Sequence, residues 1–158
     1  MPIQHFYFAE QREKQKVNLI IIFDYASLFS VKLTTRVKGS MCKTKDIQIY
    51  GIREIRSSPY SNELTNPRAM SSILLFRQMT AAAKRFLFSL PSHRNKNVLD
   101  VLRWLTNYDN LYSARCVICH SQMPLTGSDA FCVPSLRHFD TGAPYHPSCC
   151  TGETLLRT

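Results

Sequence analysis

Four residues near the C-terminal end of the chain constrain its fold more than any other feature. Cys116 and Cys119 are separated by two residues, 26 residues follow, and His146 and Cys149 are again separated by two. A spacing of two residues lets both side chains of a pair face one point from a tight turn. Three thiolates and one imidazole form a donor set that suits tetrahedral Zn²⁺. The pattern therefore predicts one zinc ion held by these four residues.

Other donors lie close by in the sequence, and the spacing alone does not exclude them. Cys150 is adjacent to Cys149 and competes with it as a ligand, although only Cys149 is spaced to face the same point as His146. Three further candidate donors lie in the same segment: His120, Cys132 and His138.

The predicted zinc is structural rather than catalytic. A catalytic zinc keeps an open coordination position and usually has a carboxylate nearby. Here four donors close the shell, and Glu153 is the nearest glutamate in the sequence. We therefore predict no catalytic residues and no enzymatic activity.

Disulfides in a secreted protein and free thiols are the alternatives to a metal site. The N-terminal segment carries charged residues such as Glu10, Arg12 and Lys14 where a secretion signal would be apolar. We therefore expect a reducing, intracellular compartment, where clustered cysteines more often bind metal than form disulfides. The longest apolar run, Leu19–Phe23, is too short for a helix that crosses a membrane.

Net charge and cysteine content differ sharply between the N-terminal and C-terminal parts of the chain. Residues 1–115 have a net charge of +10, whereas residues 116–158 have a net charge of −1 and hold five of the six cysteines. A segment as short as the second needs a metal, a disulfide or a neighbour to stay folded. We predict an N-terminal arm over 1–16, an α+β body over 17–112, a zinc-binding module over 113–152 and a tail over 153–158.

Three segments have the pattern of β-strands. Val17–Tyr25 is apolar and β-branched, which predicts a buried strand. Leu28–Lys38 alternates between apolar and polar residues, which is typical of a strand with one face in water. Asp46–Ile55 is a third candidate strand, with Gly51 as a candidate bulge.

The polar side of the second predicted strand is basic. It carries Lys32, Arg36 and Lys38. Such a row is either a solvated sheet surface or a patch for an acidic partner.

Two helices are predicted after the strands. Arg56–Thr65 is rich in Ser, Asn and Pro and is predicted as a loop. Asn66 and Pro67 suit the N-cap and first position of a helix, and apolar residues then recur at spacings of three and four until Pro91. A second apolar stripe predicts a helix over Asn97–Tyr112. The predicted fold is α+β, with a small antiparallel sheet packed with two helices and followed by a treble-clef-like zinc module.

From Val98 to Cys149 the sequence resembles the C-terminal region of the Mediator complex subunit 27 family. Leu102–Cys116 (LRWLTNYDNLYSARC) is similar to the family's helix of the type W-L-x-S-Y-x-x-L-F-x-A-P-C, which leads into the first cysteine pair. Pro134–Phe139 (PSLRHF) resembles the family's P-T-W-R-D-F, and Tyr145–Cys149 (YHPSC) resembles its F-H-x-x-C. The upstream order of strands and then a long helix is similar as well.

The resemblance implies a function and a set of partners. The chain would be a non-enzymatic scaffold subunit of the tail of the Mediator complex, a nuclear coactivator of RNA polymerase II transcription. It would contact other Mediator subunits, and neither a small-molecule substrate nor a membrane is implied.

The sequence departs from the family pattern in three ways. The family usually has Gly after the first cysteine pair, where this chain has His120. The loop from Ser121 to Cys132 is longer than usual. The N-terminal helical region through which family members bundle with other Mediator subunits has no counterpart in this sequence. The last of these differences bears on whether the chain assembles into the Mediator complex. It does not bear on whether the chain is related to the family.

The net charge of +9 favours an alternative function, that of a basic zinc-containing nucleic-acid-binding protein. The segment that holds the zinc donors has a net charge of −1, however, whereas a DNA-reading finger is expected to carry Arg and Lys on its helix. Direct binding of nucleic acid is therefore expected to be weak or absent, and the basic strand face would carry it. A ubiquitin ligase of the RING type would need two interleaved zinc sites, for which the chain has too few paired ligands.

Overall fold

A computed structural model describes the chain over residues 3–13, 16–39, 41–56, 70–90, 97–123 and 133–150. The chain divides into two compact units, residues 1–100 and residues 101–158. Within the described ranges, no helix combines the length and the apolar character that a membrane crossing requires.

The first unit contains a four-stranded antiparallel sheet. Its strands lie side by side in chain order. They are β1 (Ile3–Glu13), β2 (Lys16–Tyr25), β3 (Phe29–Lys38) and β4 (Met41–Tyr50).

Helices and a second, smaller sheet complete the described chain. The helices are α1 (Ile52–Arg56), α2 (Leu74–Ser89) and α3 (Val98–Leu105), the last of which spans the boundary between the units. In the second unit, β5 (Leu136–Arg137) pairs antiparallel with β6 (Pro144–Tyr145). The prediction of an α+β chain with an antiparallel sheet is confirmed, and the treble-clef-like arrangement stays a prediction.

The N-terminal segment, predicted as an arm, forms strand β1 instead. It pairs with β2 along its length, with one bulge. Residues 6–9 each lie opposite an apolar residue of β2, with Phe6 opposite Phe23 and Phe8 opposite Ile21. The ring centroids of Phe6 and Phe23 are 5.8 Å apart. This apolar stretch is short, and the charged residues that follow it in the sequence hid its strand character.

The third predicted strand, Asp46–Ile55, is displaced toward the N-terminus in the structure. β4 ends before Gly51, and α1 follows directly. Gly51 therefore lies at a junction and not at a bulge. A Cβ atom there would lie 3.1 Å from Cδ1 of Ile73 and 3.2 Å from Cε2 of Phe76, so glycine permits this close approach. The register of β4 does shift once, but the shift lies in its pairing with β3 at Thr34 and Thr35 and not at Gly51.

One face of the sheet packs against α2 and forms an apolar interior. The ring centroid of Phe29 lies 6.5 Å from that of Phe76 on α2. The hydroxyl of Thr80 accepts a 2.9 Å hydrogen bond from the backbone N–H of Ile49, which ties the helix to the edge strand β4. The predicted apolar stripe of α2 supplies the buried residues Phe76, Met79, Thr80, Ala82, Ala83, Phe86 and Leu87.

The middle of the opposite face of the sheet is buried. This corrects the prediction that the whole basic face of β3 is exposed to solvent. Lys32 is only 3% exposed. It lies between Ile22 of β2 and Gln48 of β4, and Ile55 of α1 packs with Ile22 on this face. Burial lowers the pKa of Lys32, and the nearby carboxylate of Asp46 offsets part of this effect. The basic surface is therefore shorter than the alternation of β3 indicates.

Helix α2 begins later than predicted, at Leu74. Residues 70–73, which the prediction placed inside the helix, are not helical. The predicted cap at Asn66-Pro67, the stop at Pro91 and most of the predicted loop lie outside the described residues.

Glu54 of α1 holds the segment before α2 in its non-helical conformation. Its carboxylate accepts four hydrogen bonds of 2.6–2.7 Å, from the backbone N–H groups of Gly51 and Ser72 and from the hydroxyls of Ser71 and Ser72. The hydroxyl of Ser71 also accepts from the N–H of Ile73, a local bond that competes with helix formation. Partial burial by itself raises the pKa of Glu54, but the hydrogen bonds outweigh it and hold that pKa below its ordinary value.

The second predicted helix, Asn97–Tyr112, is shorter in the structure. The side-chain oxygen of Asn97 accepts from the N–H of Leu99 at 3.2 Å, as an N-cap does. Helix α3 ends at Leu105, and a turn of 3-10 helix over Thr106–Tyr108 follows. Asn and Asp residues after this point favour turns because their side chains compete with the backbone for hydrogen bonds.

Substitution of Glu54 by Gln is expected to destabilise the first unit, because an amide offers one acceptor oxygen to four donors. We expect a loss of about 1–2 kcal/mol in the free energy of unfolding at neutral pH, measured by denaturant titration. The pKa of Glu54 is lower in the folded chain than in the unfolded one, so its contribution is complete above the unfolded pKa and is lost as pH falls through the folded pKa. The wild-type chain should therefore lose stability more steeply on acidification than Glu54→Gln does.

A matched control is Lys84→Gln, which breaks a surface ion pair of 2.9 Å with Asp46 and leaves the Asp46 carboxylate in place. This change is expected to cost less than about 1 kcal/mol. Equal stabilities of Glu54→Gln and the wild-type chain at neutral pH would contradict the role given to Glu54.

Candidate metal centre

The first cysteine pair lies on a tight turn of the second unit. The backbone N–H of His120 donates to the carbonyl of Cys116 at 2.8 Å, and the N–H of Cys116 donates to the carbonyl of Ser121 at 2.9 Å. These two bonds fold the chain back on itself around the pair. His120 has a φ of 58°, in the left-handed region that glycine adopts without strain. This conformation gives a physical reason for the glycine that the family usually has at this place.

The second pair of donors follows the short β5–β6 ladder. The backbone N–H of Val117 donates to the carbonyl of Pro144 at 3.0 Å, which joins the cysteine turn to β6. His146 comes directly after β6, and Cys149 closes a single 3-10 turn whose N–H donates to the carbonyl of His146 at 3.1 Å. The structure thus brings the four predicted residues together, with their donor atoms all within 4.8 Å of one another.

The imidazole of His146 is buried and oriented by two kinds of contact. Its Nε2 lies 3.1 Å from the backbone carbonyl of Gln122. A carbonyl only accepts, so Nε2 carries the proton and Nδ1 keeps a free lone pair. Nδ1 lies 3.3 Å from Sγ of Cys119 and 3.9 Å from Sγ of Cys149. Nδ1 is therefore the atom that faces the common centre, and the Gln122 carbonyl fixes the tautomer that can bind a metal.

The thiols of the cluster differ in acidity. Burial by itself raises the pKa of Cys116, but the backbone N–H groups of Cys119, His146 and Ile118 bond to its sulfur, and together with the Cys119 thiol they lower that pKa to about 6. Burial and the neighbouring sulfur atoms of Cys119 and Cys116 raise the pKa of Cys149 to about 11. These shifts favour the thiolate at Cys116 and disfavour it at Cys149. A cation at the common centre would favour the thiolates over the protonated thiols.

These donors fit zinc better than the common hard cations. Calcium and magnesium prefer oxygen ligands, whereas thiolate and imidazole suit zinc. A tetrahedral zinc with bonds of about 2.3 Å to sulfur and about 2.0 Å to nitrogen holds sulfur and nitrogen about 3.5 Å apart. The two measured Sγ–Nδ1 distances, 3.3 and 3.9 Å, bracket that value.

The competing donors have other places in the structure. His120 is exposed, and it does not belong to the four-residue group. His138 is buried, and its Nδ1 accepts from the N–H groups of Asp140 and Thr141, so it orders the turn between β5 and β6. Cys150 lies next to the cluster but outside the group of donors that the described residues form. Cys132 lies outside the described residues.

Sequence reasoning missed one residue of this region, Arg137. Its side chain is fully buried and is the largest of the fully buried side chains in the described part of the chain. Arg115, the arginine that directly precedes Cys116 in the sequence, is exposed. The signal that pointed to Arg137 was its place in the PSLRHF stretch that resembles the family, and the spacing of the donors gave no hint of it.

Comparison with known proteins identifies the family. The family model of Mediator complex subunit 27 matches residues 65–150. The chain belongs to this family. The matched range contains α2, α3 and all four donors of the candidate centre, whereas strands β1 to β4 precede it. No curated protein matches the chain in a sequence search.

Membership in the Mediator complex subunit 27 family gives the chain a general role. It is related to a subunit of the Mediator complex, and its family acts in the regulation of transcription. Subunits of this family are generally not enzymes. The resemblance found from the cysteine and histidine motifs is therefore confirmed.

The purified chain is expected to contain one zinc ion, and Cys116→Ser is expected to abolish it. Cys116 is buried, so its loss removes an interior donor that solvent cannot replace. We expect the second unit to unfold while the four-stranded sheet stays folded. Elemental analysis measures the metal, and hydrogen exchange with mass spectrometry localises the unfolding.

Cys150→Ser is the matched control, since it removes a neighbouring thiol that lies outside the group of four. It should keep one zinc per chain. Loss of zinc in this control together with retention in Cys149→Ser would identify Cys150 as the ligand instead.

Proposed function

We propose that this member of the Mediator complex subunit 27 family is a non-enzymatic scaffold subunit of the Mediator tail. It acts in the nucleus, where it regulates RNA polymerase II transcription through contacts with other Mediator subunits. The observation that carries this proposal is the family match over residues 65–150, which includes the complete donor set.

The proposed role of the metal is to stabilise the C-terminal module over residues 113–152. Cys116, Cys119, His146 and Cys149 would hold one zinc ion and leave no position open for a substrate or an activated water. The ion would supply folding free energy to a segment that is too small to bury a sufficient apolar core. A treble-clef-like arrangement of the cysteine turn, the β5–β6 ladder and the final 3-10 turn suits this role.

Exposed apolar side chains support a role in protein contacts. Phe6, Tyr7 and Phe8 on the edge strand β1 are each at least half exposed, and Phe88 on α2 is 80% exposed. Edge strands with exposed apolar residues are available for pairing with another chain. Large exposed apolar residues that lie together also mark surfaces that bind other proteins.

An affinity pull-down of the full chain from nuclear extract, analysed by mass spectrometry, tests the proposal. We expect several other Mediator subunits among the recovered proteins, at least tenfold above the control. The control bait is an unrelated protein of similar size and net charge, which removes partners that bind through charge alone. A clean pull-down without Mediator subunits would contradict the scaffold role.

A second function, weak binding of nucleic acid, is supported by the end of the sheet. Arg36 of β3 lies directly opposite Lys43 of β4, and like charges in that position repel. The buried Nε of Arg36 has no hydrogen-bond acceptor among the described residues. Lys38 lies exposed two residues further along β3. A phosphate backbone near these three cations would relieve the repulsion, without recognition of sequence.

The double substitution Arg36→Gln and Lys43→Gln tests this second function. We expect the wild-type chain to bind a short DNA duplex weakly and without sequence preference, and its affinity to fall with added salt. The double variant should reduce the slope of log affinity against log salt by about 2, since each contact to a phosphate contributes about 1. Fluorescence anisotropy measures both quantities.

The matched control is Arg53→Gln with Arg85→Gln, which removes two exposed charges from α1 and α2 of the same unit. It should leave the slope nearly unchanged. Tight, sequence-selective binding by the wild-type chain would favour a nucleic-acid-binding protein over the scaffold subunit.

A further inference from the structure

Arg137 is a buried cation whose hydrogen bonds to the described residues go to neutral groups. Its guanidinium lies over the ring of Tyr108, with Cζ 4.7 Å from the ring centroid. The acceptors are the backbone carbonyls of Asn107 (2.7 Å), Pro134 (2.6 Å) and Leu136 (3.0 Å) and the side-chain oxygen of Asn110 (3.5 Å).

The guanidinium is therefore hydrogen-bonded but not neutralised. Within the described residues, Arg137 makes no ion pair with a carboxylate. Burial of a charge without an opposite charge is unfavourable even when its hydrogen bonds are satisfied. Burial accordingly lowers the pKa of Arg137 from its ordinary value. A compensating negative charge within the same unit would remove this disadvantage.

The candidate metal centre supplies such a charge when zinc is bound. Zinc carries two positive charges and three thiolates carry three negative ones, so the loaded centre has a net charge of −1. Of the three thiolates, Cys116 is buried, Cys149 is half-buried and Cys119 is exposed, so water screens part of this charge and an effective dielectric constant of about 20 applies.

The β5–β6 ladder brings the backbone of Arg137 near that of His146, one of the four donors. Arg137 is paired with Pro144, and His146 follows two residues later on the same strand and its extension. Two residues of a strand span about 6.6 Å and paired strands lie about 5 Å apart, so the two backbone positions are roughly 8 Å apart. Both groups belong to the second unit.

We propose that Arg137 is the electrostatic counter-ion of the metal–thiolate centre. This inference rests on the zinc site of the proposed function. The cation stabilises the negative centre, and by reciprocity the loaded centre stabilises the buried cation. Arg137 is thus a positioning residue that acts on the centre through its charge. Its hydrogen bonds have a second role, since they join the 3-10 turn after α3 to the segment before β5.

A double-mutant cycle separates the charge from the packing. The four full-length chains are the wild type, Arg137→Met, Cys119→His, and the double variant. Met fills a similar volume without a charge, and Cys119→His converts the donor set to two cysteines and two histidines, which binds zinc with a net charge of zero. Zinc affinity is measured by competition with a chelator of known affinity.

We expect Arg137→Met to weaken zinc binding by on the order of tenfold in the wild-type background, the size expected for unit charges about 10 Å apart at an effective dielectric constant of about 20. In the Cys119→His background the same change should weaken binding less than about threefold. Arg137→Lys, which keeps the charge but not the hydrogen-bonding geometry, should bind zinc within about threefold of the wild type.

The outcomes distinguish this inference from the zinc site itself. Equal losses in the two backgrounds, or a loss in Arg137→Lys as large as in Arg137→Met, would assign Arg137 a packing role and overturn the inference alone. If Arg137→Met does not fold, the zinc affinity of Arg137→Lys decides: a value within about threefold of the wild type supports the inference, and a loss on the order of tenfold overturns it. A wild-type chain without zinc affinity would overturn the metal site and this inference together.

Discussion

The meeting of four donor side chains from two segments that lie 26 residues apart is the constraint on which our account of the second unit depends. The interior of this unit is not made of apolar residues alone, since Arg137, Ser135 and His146 are fully buried. Burial of so many polar groups contributes little hydrophobic stabilisation, and a small unit has little apolar surface to offset the loss of conformational entropy. A metal bound by both segments would supply the stabilisation that the buried polar groups do not provide.

The donors of this site could be predicted because their geometry is local. Two residues between ligands suffice to turn both side chains to one side, whatever the rest of the fold does. The groups that orient and balance the donors could not be predicted, because they come from elsewhere in the chain. The partner of His146 is the backbone carbonyl of Gln122, which any residue type would offer. Arg137 reaches the interior only because the β5–β6 ladder and the turn around Tyr108 form acceptors for it.

The same distinction holds for the first unit. Strands β2 and β3 match the predicted segments closely, since an apolar β-branched run and an apolar–polar alternation are both local features of the sequence. The predicted exposure of Lys32 was wrong because its burial depends on α1. This helix of five residues is too short to give a periodic pattern in the sequence. The predicted start of α2 was wrong because three hydrogen bonds from Ser71 and Ser72 to Glu54, a residue of another helix, hold these serines out of the helix. In each case a tertiary contact overrides a local preference that the sequence expresses correctly.

His120 stands where the family usually has glycine, and two free energies explain why this is tolerated: the cost of its left-handed backbone and the stabilisation that a zinc site would give. A residue other than glycine in the left-handed region costs about 1–2 kcal/mol, and His120 is exposed, so its side chain adds no steric conflict. A structural zinc site contributes on the order of 10 kcal/mol to the folding of the segment that holds it. A module that such a metal stabilises would tolerate backbone strain at the cysteine turn, whereas the loss of a single donor would exceed what the rest of the module can offset. On this account the donor atoms would be under stronger constraint than the turn that presents them.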